Sequence, residues 1–134
     1  MSSYRPTLAL STLIILMVCL LAACGGAETA PYAVSEQVQT TCSDECLAHG
    51  QCGALDDDTR VVLGSSVGPA VTAHDRLFLE GTLVMVLEMS QRELIAARNG
   101  APLISEATPF PHTFYRVDDA GKTAWVSEWC LARP

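Results

Sequence analysis

The stretch Thr113-Phe-Tyr-Arg-Val117, Asp118-Asp-Ala-Gly121, Thr123-Ala-Trp-Val126 reads as two short β-strands joined by a tight turn. Its strands are rich in aromatic and β-branched residues, which suit a pleated, half-buried surface. Gly121 supplies the positive φ that such a turn needs. Alternation puts Tyr115 and Val117 on one face, and Phe114 and Arg116 on the other. Ala124 and Val126 share a face opposite Trp125.

Working upstream, the same β signal recurs. Leu77-Phe-Leu-Glu-Gly-Thr-Leu-Val-Met-Val-Leu-Glu-Met89 is the strongest strand run, and Gly81 divides it at a turn or bulge. Arg60-Val-Val-Leu63 is a shorter run, and Gly64-Ser-Ser-Val-Gly-Pro69 is a turn-rich loop. Ser43 through Gly50 has the marks of one short helix: Ser43 as cap, acidic residues in the first turn and Gly50 as terminator. Residues 91–99 fit either a helix capped at Ser90 or a strand turning at Asn99-Gly100, with the hairpin favoured. Residues 101–112, with Pro102, Pro109 and Pro111, read as a loop. Val84, Val86, Val117 and Val126 are the expected core of this mainly β domain.

The N-terminus carries a different signal. Arg5 precedes an apolar run from Leu8 to Ala23, too short to span a bilayer comfortably and of the length of an export signal. It ends Leu21-Ala22-Ala23-Cys24, which resembles the lipobox of bacterial lipoproteins at all four positions. The resemblance implies that residues 1–23 are a signal peptide and that Cys24 takes a lipid and becomes the new N-terminus. The chain would then be anchored to a membrane rather than spanning it, held outside the cytoplasm at the cell envelope. An uncleaved membrane helix and a plain secretory signal are the rival readings. Residues 24–41 are small and polar and read as a flexible tether, leaving 42–134 as one small domain.

Beyond the signal, the chain keeps all 15 acidic residues and loses only Arg5 of 8 basic ones, so its side-chain charge is 7 − 15 = −8. That disfavours nucleic acid, and a basic patch on anionic headgroups, as partners. Cys42, Cys46, Cys52 and Cys130 remain after Cys19 and Cys24 are set aside, an even number in an exported chain. Oxidising surroundings favour two disulfides, with three pairings open. Cys130 must reach back to one of the others, closing a loop worth on the order of 4 kcal/mol. A metal knot of Cys42, Cys46, Cys52 and His49 is the weaker alternative, because its spacings lack the tight pairs of zinc sites.

The C-terminal third resembles bacterial SH3-like (SH3b) domains. Phe114-Tyr-Arg-Val117 matches their aromatic–aromatic–basic–Val strand, Ala124-Trp-Val126 the next strand, and Ser127-Glu-Trp129 the helical turn before the apolar Leu131. Gly81-Thr-Leu-Val-Met-Val86 resembles the strand after the family's diverging turn. The resemblance implies a small SH3-like β-barrel, here with a short N-terminal helical turn and disulfide staples, acting as a binding module for a protein or cell-wall (peptidoglycan) ligand.

No catalytic set, metal site or cofactor motif emerges, so the expectation is a non-enzymatic protein. His49, His74 and His112 are isolated in sequence and read as loop or turn residues. Phe110, Tyr115, Trp125 and Trp129 are the candidate ligand residues, since aromatics with polar edges suit shallow grooves. Their alternative use is in the domain's own core. An accessory lipoprotein subunit of an envelope complex, without a ligand groove, is the competing function.

Overall fold

The computed structural model describes residues 31–95 and 109–134. All elements below lie in one compact unit, Tyr32–Pro134. The lipobox and Cys24 lie outside the described residues, as do the turn expected at Asn99-Gly100 and most of the 101–112 loop.

The unit is mainly β. Its elements are β1 (Gln37–Thr40), α1 (Asp44–Ala48), β2 (Cys52–Ala54), β3 (Arg60–Gly64), β4 (Arg76–Leu79), β5 (Leu83–Leu94), β6 (Phe110–Asp119), β7 (Lys122–Ser127), a 3-10 turn (Glu128–Cys130) and β8 (Leu131–Ala132). Antiparallel pairing builds a five-stranded sheet in the order β7-β6-β5-β1-β8 and a three-stranded sheet in the order β2-β3-β4.

Among the described residues the two sheets do not close into the barrel expected from the sequence. They meet at a bridge between Ser65 and Trp125, whose backbone groups exchange hydrogen bonds of 2.8 and 3.0 Å. Gly64 permits that approach. A Cβ there would come within 3.1 Å of both the Ala124 Cβ and the Phe78 ring, closer than packed side chains tolerate without moving.

The expected core is present. Val84, Val86, Val117 and Val126 are buried together with Val38, Val62, Phe78 and Ala124. β5 carries a bulge between Val86 and Glu88. The extra residue flips the alternation: Val84 and Val86 point inward, whereas Glu88 pairs with outward-facing Arg116, 3.6 Å away.

The helix forms where its capping signals lie. Ser43 Oγ accepts the Cys46 N–H at 3.1 Å, and Gly50 ends the segment at φ 67°. Gly81, at φ 82°, turns β4 into β5. Two disulfides, Cys42–Cys52 and Cys46–Cys130, staple helix, strands and C-terminus together. That pairing takes Cys42, Cys46 and Cys52, the three cysteines of the metal-knot alternative, into S–S bonds.

Two boundaries differ from the sequence reading, and one alternative it left open is decided. First, the tether was expected to run to residue 41, yet β1 lies within it. Gln37–Gln39 pair with Leu83–Met85, and Val38 is wholly buried. Tyr32 is already docked: its hydroxyl donates to the Leu131 carbonyl at 2.9 Å and its ring meets Tyr115 edge-on at 5.1 Å. A four-residue strand with one inward Val is too short to show alternation. The open alternative goes the favoured way: residues 91–94 are strand, continuing β5 against Phe110–Thr113. Second, residues 110–112, expected in a loop, begin β6. Pro111 is accommodated by its place near the strand's start, opposite Glu93.

Candidate functional site: two halves of one sheet face

β6 decides what the aromatic residues can do. Phe110, His112, Phe114 and Arg116 alternate onto one of its faces; Tyr115 and Val117 take the other. β7 adds Trp125 and Ser127 to the first face, opposite Arg116 and Phe114 respectively. The face therefore has two halves, around Phe110–Phe114 and around Arg116.

The first half is covered. The 3-10 turn after β7 carries Trp129 across it, and α1 supplies His49 at its C-terminal end. Trp129 lies between two imidazoles: His49 stacks at 3.7 Å and 9° between planes, and His112 at 3.6 Å and 26°. Phe110 borders Trp129 at 6.3 Å, and Phe114 meets the His112 ring edge-on at 5.0 Å.

His112, only 2 % exposed, is fully bonded. Nδ1 lies 3.1 Å from Glu128 Oε1 and Nε2 lies 2.8 Å from Ser127 Oγ. The network assigns the tautomer. Glu128 can only accept, so Nδ1 carries the proton and Nε2 accepts from the Ser127 hydroxyl. Ser127 Oγ in turn accepts the Trp129 N–H at 3.2 Å. Burial first, then the charge of His49 across the indole, lowers the His112 pKa to about 4 despite the nearby Glu128 carboxylate. His112 is thus neutral at pH 7.

Glu128, His112 and Ser127 share the connectivity of a catalytic triad. Ser127, however, is 1 % exposed, and its Oγ already caps the 3-10 turn. The arrangement holds the turn and Trp129 in place.

Among the described residues the second half is the more exposed. Trp125 is half-buried beside Arg116, and the Arg116–Glu88 pair is well exposed to solvent. On its other side Trp125 borders the loop that follows β3. That loop is held by Asp75, whose carboxylate accepts the Ser66 N–H and hydroxyl. It is held again by Gln51, whose Nε2 donates to the Val71 carbonyl at 2.9 Å and whose Oε1 lies 3.0 Å from His74 Nε2. The Ser66 hydrogen bonds keep the Asp75 carboxyl below its ordinary range, and burial lowers the His74 pKa. His74 and Asp75 are thus loop supports with separate partners.

The four aromatic candidates separate accordingly. Tyr115 is a correction: at 1 % exposure it belongs to the core, with Tyr32 against it, and it is closed to any ligand. Trp129 has both ring faces taken, so nothing further can stack on it. Phe110 belongs to the same covered half. Trp125 alone of the four stands on the more exposed half. His49 and His112 escaped sequence reading because their partner is assembled from three elements. The one local hint was Ser127-Glu128 following a strand, a capping signal for a turn.

The chain matches no protein-family model, no curated protein and no solved structure.

Proposed function

We propose that this chain is a lipid-anchored envelope protein whose Tyr32–Pro134 domain is an SH3-like binding module. It takes a protein or cell-wall ligand on the more exposed half of the β5-β6-β7 face, around Trp125. The observation that carries the reading is the placement of Trp125 relative to the chain's entry. Tyr32 packs on Tyr115, whereas the cross-strand neighbours Arg116 and Trp125 face the opposite side of the sheet. Within the domain, Tyr32 and Trp125 therefore lie on opposite sides of the sheet.

Further support is independent of that placement. Leu21-Ala-Ala-Cys24 has the lipobox pattern, and two disulfides suit an oxidising compartment. The segments that resemble SH3b domains lie on paired strands. Phe114–Val117 and Ala124–Val126 are adjacent, and the 3-10 turn ends at buried Leu131. The eight residues Cys24–Pro31 remain as tether, reaching at most about 30 Å when extended.

The test uses the full chain extracted from membranes. Its N-terminal peptide should begin at Cys24 and carry the mass of acyl groups. The chain should sediment with isolated cell walls or co-purify with an envelope protein, and Trp125→Ala should weaken retention about tenfold. An unprocessed N-terminus would overturn the anchor. Retention unaffected by Trp125→Ala would overturn the site.

A further inference from the structure

The three-stranded sheet has a second face that neither the core nor the Trp125 surface uses. Alternation along β2, β3 and β4 turns Cys52, Val62 and Phe78 into the core cluster. It turns Gly53, Val61, Leu63, Leu77 and Leu79 the other way, with Leu55 just beyond β2 in the same phase; of these Val61 is buried at 4 % exposure and Leu63 is half-buried. The register sets Leu79 opposite Val61 and Leu77 opposite Leu63. Leu77 and Leu79 are 59 % and 57 % exposed on the edge strand, and Leu55 is exposed as well. Gly53 pairs with Val61, and a Cβ built on it meets nothing within 4 Å, so the face is shallow over β2. An antiparallel sheet normally shows water a polar outer face. Here the exposed side chains are apolar: Leu77 and Leu79 on β4, and Leu55 just beyond β2.

Charge indicates what covers it. Leu55 leads directly into Asp56-Asp57-Asp58, three exposed carboxylates at the β2–β3 turn. Asp56 accepts the Asp58 N–H at 3.0 Å, and hydrogen bonds from Thr59 and Asp58 hold its carboxyl below the ordinary range. Even counting Arg60 at the foot of β3, this end of the face is net negative. An anionic lipid surface would be repelled there. A second copy would bring the same acidic turn and the same negative net charge.

We infer that this face docks a basic amphipathic segment of a partner protein: apolar side chains over Leu55, Leu77 and Leu79, and lysines or arginines against Asp56–Asp58. The partner chemistry follows from complementarity in both terms, apolar area beside a fixed negative charge. This surface is separate from Trp125 and stands whether or not Cys24 carries lipid.

The experiment measures fluorescence anisotropy of a labelled Leu-Lys-Leu-Lys-Leu-Lys peptide with the full chain in phosphatidylcholine nanodiscs, blank nanodiscs subtracted. A Leu-Glu peptide of equal length is the charge control. The Lys peptide should bind at least about tenfold more tightly than the Glu peptide, and Leu77→Ser with Leu79→Ser should remove about that factor. Asp56→Asn, Asp57→Asn and Asp58→Asn together should weaken binding and flatten its salt dependence. Trp125→Ala should leave it unchanged, which separates this surface from the one around Trp125. Equal binding of the two peptides, or binding that survives both sets of substitutions, overturns the inference. So does self-association abolished by the Leu77 and Leu79 substitutions, or binding of phosphatidylglycerol vesicles through this face. Circular dichroism and intact disulfides confirm that each variant is folded.

Discussion

Trp125 and Trp129 stand four residues apart on one chain segment, and the fold uses them in opposite ways. Trp129 is clamped between His49 and His112 and packs on the core, whereas Trp125 borders Arg116 on the more exposed half of the same sheet face. The 3-10 turn causes the difference. It lifts Trp129 off the strand and lays it across the face, while Trp125 keeps its strand position. An aromatic residue near a proposed site is therefore evidence of binding only when its ring faces are free.

The comparison breaks first through the staple beneath the covered half. Cys46–Cys130 closes 84 residues and Cys42–Cys52 only 10. On chain-entropy grounds the long bridge is worth between about 4 and 5 kcal/mol and the short one about 3. Replacing Cys46 and Cys130 by Ala should lower urea stability by the larger amount. Equal losses from the two pairs would show that the covered half does not depend on its bridge.

Acid tests the same half through His112. Its folded pKa, lowered to about 4, lies below its unfolded value near 6.5. A base depressed in this way stabilises the fold fully above pH 6.5 and loses that contribution as pH falls towards 4, by at most roughly 3 kcal/mol. Below that, the lowered carboxyls of Glu36, Asp56 and Asp75 extend the loss as they protonate. Stability measured from pH 7 to pH 4 should fall, and His112→Gln should flatten the decline. A flat profile in the native protein would mean that His112 is charged when folded.

The tryptophans themselves give smaller effects. Trp129→Ala should cost about 2 kcal/mol, less than a fully buried aromatic because Trp129 is partly exposed. Trp125→Ala should cost less than about 1 kcal/mol. Reversing that order would reverse the assignment of the two halves. Smallest is the Arg116–Glu88 pair, whose double-mutant cycle should give no more than about 0.5 kcal/mol, since both groups are half in water.

Much of this domain was legible in its sequence. Local signals specified the β6–β7 hairpin, the capped helix at Ser43, the turn at Gly81 and the four core valines. Other features depended on distant partners. β1 was hidden because Gln37–Thr40 offers one inward valine, and only β5 and β8 identify it as a strand. The disulfide pairing follows from tertiary placement, which spacing alone leaves open. The strand at Phe110–His112 was masked by the prolines around it. Tyr115 looked available because alternation separates two faces without saying which one Tyr32 will cover. The use of Trp129 was the least legible feature, since His49 and His112 come from elements that meet only in the folded domain.

The most direct measurement is 19F NMR of the full chain labelled with 5-fluorotryptophan, which carries 2 tryptophans and should show two resonances. Trp125→Phe assigns them. On adding soluble cell-wall fragments, then a detergent extract of the envelope, the Trp125 resonance should move while that of Trp129 stays in place. Movement of Trp129 alone, or of neither resonance with either addition, would contradict the account.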